Sequence, residues 1–95
     1  MFKHSTVRAS SSGVAVAEQL PCSGNRIQVV CRDISTGTGT VTVTVRPGNA
    51  TEYQSITDGT IDLTAPIGLI IEGKFNAVKA TSSESGDVFN LEVMS

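Results

Sequence analysis

The sequence predicts a small all-β fold, a two-sheet β-sandwich of seven to eight short antiparallel strands, on three observations. Apolar and polar residues alternate along several runs with a period of two. Turn-forming residues recur every 8–12 residues or so, the spacing of sandwiches and small barrels. Threonine, serine and glycine make up about a third of the chain, and long stretches rich in alanine, leucine, glutamate and lysine are missing. An immunoglobulin-like and a jelly-roll-like strand order both fit these signals.

Residues 1–13 stand apart from the rest. Phe2, Thr6 and Val7 give them weak strand character, and Ser10-Ser11-Ser12-Gly13 has a linker's composition. They read as an N-terminal arm, either frayed or pairing with a neighbouring subunit, ahead of a sandwich domain over residues 14–95. Val14–Leu20 reads as a strand with Val14 and Val16 inward, or as a helical turn. Arg26–Ile34 places Ile27, Val29 and Cys31 on one face and Gln28, Val30 and Arg32 on the other. Thr36-Gly37-Thr38-Gly39-Thr40 reads as a hairpin turn, since no Lys-Ser or Lys-Thr follows to make a phosphate loop. Thr40–Arg46 is the clearest strand, with Val41, Val43 and Val45 inward and a wet threonine face, and Pro47-Gly48-Asn49 ends it. Asp58-Gly59 reads as a turn opening a strand over Thr60–Thr64, with Ile61 and Leu63 inward. Leu69–Glu72 follows Pro66, Phe75–Thr81 follows Gly73, and Val88–Met94 points Phe89, Leu91 and Val93 to one face.

Ninety-five residues make one domain. The net charge of −2 and the lack of a basic patch argue against a nucleic-acid partner. No run approaches the ~18 apolar residues of a membrane helix. Met1–Arg8 is followed by no apolar leader region, so the expected compartment of synthesis is a cytosol. A Cys22–Cys31 disulfide is disfavoured. About six extended residues put the two roughly 20 Å apart, against the ~7 Å that a disulfide allows. Two free thiols are expected, Cys31 buried and Cys22 more reactive.

No catalytic constellation is visible, and the chain is expected to be neither an enzyme nor a binder of cofactor or metal. His4 is the single histidine, so no Ser-His-Asp or Cys-His set can be built away from the arm. Asp58 and Asp62 would share a strand face, yet Asp58 is better explained as a turn former. The aromatics are Phe2, Phe75, Phe89 and Tyr53, with two of them at core positions, which leaves Tyr53 as a poor sugar platform. The candidate protein-contact residues are Phe2 and Val7 of the arm, and Val30, Ile70, Val88 and Met94, which alternation assigns to solvent.

A succession of phrases resembles the small β-sandwich structural proteins of tailed bacteriophages. It runs from Thr38-Gly39-Thr40-Val41-Thr42-Val43-Thr44-Val45 through Thr51-Glu52-Tyr53, Asp58-Gly59-Thr60-Ile61-Asp62-Leu63 and Ala77-Val78-Lys79-Ala80-Thr81 to Gly86-Asp87-Val88-Phe89-Asn90-Leu91-Glu92-Val93. The resemblance implies a virion protein. Its first form is a capsid decoration (cement) protein bridging capsid subunits outside a phage head, with the major capsid protein or copies of itself as partners. A tail, neck or fibre-associated module is the alternative, and a glycan-binding sandwich a further one. It implies no functional residues.

Overall fold

The computed structural model describes residues 4–9, 13–18, 26–47, 50–73 and 75–94. Phe2, Ser10–Ser12, Cys22, Ser23–Asn25 and Gly48–Asn49 lie outside the described residues. Eight strands form: β1 (His4–Ala9), β2 (Val14–Glu18), β3 (Arg26–Thr36), β4 (Thr40–Pro47), β5 (Gln54–Asp62), β6 (Leu69–Glu72), β7 (Phe75–Ser82) and β8 (Val88–Met94). They build two four-stranded sheets, ordered β1-β8-β3-β6 and β2-β7-β4-β5, with every pairing antiparallel. The pairs thus run first with eighth, second with seventh, third with sixth and fourth with fifth. A single long hairpin rolled onto itself has this order, the jelly roll. An immunoglobulin domain would instead place its first, second, fifth and fourth strands together.

Alternation decides what the sheets enclose. Ile27, Val29 and Cys31 of β3, Val41, Val43 and Val45 of β4, and Phe89, Leu91 and Val93 of β8 are buried, as the sequence predicts. Ile61 and Leu63 join them from β5 and the turn after it. The same period carries Thr42, Arg32 and Thr60 out to solvent.

Four elements differ from the sequence reading. In β2, Ala15 and Ala17 face the core, and Val14 and Val16 face outward half-buried. The segment is apolar on both faces, so its own pattern does not set the parity. Ala15 lies opposite buried Ala80 and Ala17 opposite Val78, a tight flank that takes the smaller side chain. Thr36–Thr40 is no hairpin: it carries the chain from the sheet of β3 to the sheet of β4. Asp58-Gly59 lies inside β5, at a bulge where two steps along β4, Thr42 to Thr44, face five along β5, Thr60 to Ser55. Asp58 adopts φ 55° there. Glycine is required next to it, because a Cβ at Gly59 would strike the Ile56 side chain.

The fourth difference concerns the expected arm. His4–Ala9 is a strand of the sandwich, paired residue by residue with Met94 through Phe89 of β8. Ala9 is fully buried and Val7 packs against the core. Pairing with β8 and covering the core at that flank offset the entropy of ordering the segment.

Candidate functional site

The core parity and the strand register together map the outer faces. In the first sheet Gln28 of β3 lies between Met94 of β8 and Ile70 of β6. Val30 points outward two residues along from Gln28. Met94, Ile70 and Val30 therefore surround one glutamine at cross-strand and diagonal distances of about 5–8 Å. Ile70 is 67% exposed, and Ile67, in the loop leading into β6, is 78% exposed. That loop hugs the same spot: a Cβ at Gly68 would stand 3.3 Å from Val30 Cγ2. The result is an apolar corner of Ile67, Ile70, Val30 and Met94 at the flank where β6 ends its sheet.

Of the six contact residues read from the sequence, the structure brings three together: Val30, Ile70 and Met94. Val88 lies at the far end of the same face, opposite Thr36. Val7 sits opposite Leu91 and packs inward on the core. Phe2 lies outside the described residues. Ile67 escaped sequence reading because it falls between strands, although an isoleucine between Pro66 and Gly68 was a signal in plain view.

Polar side chains fill the stretch between that corner and Val88. Arg8 donates from Nη1 to the Asp33 carbonyl (2.9 Å) and to Asn90 Oδ1 (3.0 Å), and from Nη2 to Ser35 Oγ (2.7 Å). Asn90 Nδ2 donates to Asp33 Oδ2 at 3.0 Å. Asp33 holds φ 49° at the β3 bulge, so these bonds pin an uncommon backbone conformation. Arg32 Nε pairs with Glu92 Oε2 at 2.8 Å.

A second network ties the loops at one end of the sandwich. The fully buried Asp87 carboxylate accepts from Thr38 N (3.0 Å), Thr38 Oγ1 (3.3 Å), Gly39 N (3.0 Å) and Ser82 Oγ (2.6 Å). The Ser82 hydroxyl, then the backbone of Thr38, hold its carboxyl below the ordinary carboxylate range, against the opposing pull of burial. A Cβ at Gly39 would come within 2.7 to 2.9 Å of Ser83 Oγ, Ser82 Oγ and Asp87 Oδ2. Glycine there is what lets the β3–β4 crossing approach the carboxylate. Asp62, considered from sequence as half of an acid pair, uses its Oδ1 to cap its own turn, accepting from Thr64 N (2.9 Å) and Thr64 Oγ1 (2.7 Å). The Thr64 hydroxyl, foremost, lowers its pKa. Among the described residues no group of three or more His, Cys, Asp or Glu side chains is placed to hold a metal ion.

The outer face of the second sheet carries Thr42, Thr44, Thr60 and Thr81, and at one end an aromatic residue between cations. Arg46 Cζ lies 5.5 Å and Lys79 Nζ 5.7 Å from the Tyr53 ring centroid, both at cation–π range. Arg46 Nε also donates to Asn76 Oδ1 at 3.2 Å. The Tyr53 hydroxyl is buried and has no hydrogen-bond partner among the described residues. A ring already engaged by two cations is not an open platform for sugar stacking.

No family model matches the chain, and no curated protein matches it. Its fold does resemble a solved structure reported under the description that Bacillus endospore appendages form a novel family of disulfide-linked pili. The two share 14% sequence identity and a TM-score of 0.57, over 99% of this chain and 83% of the other. The likeness is one of fold: two antiparallel sheets rolled into a small sandwich.

Proposed function

We propose that this chain is a non-enzymatic structural subunit that assembles with copies of itself, with a fibre as the favoured form. The observation that carries this reading is the apolar corner of Ile67, Ile70, Val30 and Met94 beside the edge strand β6. Each sheet ends in strands paired on one side only: β1 and β6 in one, β2 and β5 in the other. An exposed apolar corner next to an open strand edge is a surface suited to another protein copy. The use of the polar groups agrees with a non-catalytic role: Asp87, Arg8, Asp33 and Asn90 hold bulges and loops in place rather than converging on an open cleft.

The fold likeness to a pilus subunit favours a fibre over a capsid decoration protein or a tail, neck or fibre-attachment module in a virion. Those two readings, with a major capsid protein as partner, draw on the sequence resemblance to phage proteins alone. The pili of that solved structure are described as disulfide-linked. Here Cys31 is a poor cross-linking residue, because its free thiol is buried and burial pushes its pKa up to about 11. Sedimentation velocity over a concentration series, with electron microscopy of the same samples, tests the proposal. Particles growing with concentration are expected, and a chain that stays monomeric at the highest soluble concentration would exclude self-assembly.

A further inference from the structure

We infer that the Arg46–Tyr53–Lys79 cluster receives a carboxylate side chain from a second copy of this chain; the inference rests on the reading of the protein as a self-assembling subunit. The cluster is rich in donors and poor in acceptors. Arg46 comes from β4, Lys79 from β7 and Tyr53 from the residue before β5, and they meet on the outer face of one sheet. Arg46 uses Nε on Asn76. Its remaining N–H groups, the Lys79 ammonium and the Tyr53 hydroxyl have no acceptor among the described residues. Two other cations of the chain are met at home, Arg32 by Glu92 and Arg8 by Asp33, Ser35 and Asn90. Two adjacent cations repel each other. A carboxylate supplies acceptors for their remaining N–H groups and the missing negative charge.

The same sequence supplies the complement. The chain has nine Asp and Glu against seven Lys and Arg. Glu18, Glu52, Asp58, Glu72 and Glu84 are exposed and make no ion pair among the described residues. Each copy therefore presents surplus carboxylates together with a cationic cluster that lacks one. This charge complementarity identifies the occupant as another copy, and the acidic balance of the chain argues against nucleic-acid phosphate.

The test is association of the purified chain, followed by sedimentation velocity, for wild type, R46Q/K79Q, the charge-keeping R46K/K79R, and Y53F. The expected results are an association constant at least tenfold weaker for R46Q/K79Q, near-wild-type association for R46K/K79R, and wild-type association that weakens steeply as salt rises. Y53F is the control. It removes a buried, unpartnered hydroxyl and keeps the ring, so the dissociated chain should melt at or above the wild-type temperature and associate as wild type does. If wild type assembles and R46Q/K79Q assembles equally well, the carboxylate contact is wrong and the self-assembly reading stands. If wild type never assembles, both fall.

Discussion

Phe89→Ala tests the architecture most directly. Phe89 is fully buried on β8, an inner strand of its sheet. It sits opposite Ala9 of β1, a residue too small to fill the space that the ring would leave. A buried aromatic side chain removes on the order of 150–200 Å² from water. At ~25 cal/mol per Å² that is about 4–5 kcal/mol. Truncations of this kind cost about 3–5 kcal/mol once partial relaxation is counted. A domain of this length holds about 5–14 kcal/mol in all, and each kcal/mol moves the midpoint by roughly 4–8 °C. The variant should therefore melt at least ~12 °C lower. Urea and thermal unfolding followed by far-UV circular dichroism give the measurement, with I70A as the exposed comparison at within ~0.5 kcal/mol of wild type. A loss below ~1 kcal/mol for F89A, or an equal loss for I70A, would refute the placement of Phe89 at the centre of the core.

Removing residues 1–9 should cost the monomer more than ~3 kcal/mol, because β8 loses its β1 partner and the core loses Ala9 and Val7; an unchanged melting temperature would return the segment to the role of a free arm. The Asp87 carboxyl is lowered in the folded state, so its stabilisation is complete above the unfolded carboxylate pKa, about 4, and is lost as pH falls through the folded value. Melting temperature against pH should accordingly fall more steeply on the acid side for wild type than for D87N, which should be the less stable protein at pH 7. Cys31 should resist a thiol reagent at pH 8 in the native state and react at once in urea, since its pKa is pushed up to about 11; peptide mapping that finds Cys31 labelled within minutes in the native protein contradicts its burial.

The sequence was most legible where one face of a strand is apolar and the other is not. In β4 the Val-Thr alternation leaves a single parity that buries anything, and in β8 Phe89, Leu91 and Val93 do the same. In β2 valine and alanine alternate, both faces are apolar, and the parity depends on a neighbour, Ala80 of β7. Asp58-Gly59 illustrates a different limit. A left-handed residue followed by glycine serves a turn and a bulge equally, and only the long-range pairing of β5 with β4 separates the two. Three of the four residues of the apolar corner were readable, because Val30, Ile70 and Met94 break the alternation of their strands. Their adjacency was not, because it follows from the order β8-β3-β6, which joins segments distant in sequence. The cationic cluster was hidden for the same reason: Arg46, Tyr53 and Lys79 are united only by the register of β4 with its two neighbours.

The rolled-hairpin order also dictates when the chain can fold. Every ladder joins the first half of the sequence to the second, β4–β5 over the shortest span, and the outermost, β1 with β8, joins residue 4 to residue 94. On a ribosome the N-terminal half emerges with no partner in existence, and the final strand leaves the exit tunnel last. The cheap first step is the β4–β5 hairpin, whose loop closure is the shortest in the molecule. Pairing then advances outward in order, β3 with β6, β2 with β7, and β1 with β8 as the clasp. Topologies of such high contact order fold on millisecond to second timescales. Substitutions near β4 and β5 should thus slow folding, and substitutions in β1 should chiefly hasten unfolding. Until the clasp closes, β8 remains an unprotected edge, so the state most open to a wrong partner is the one a single strand short of completion.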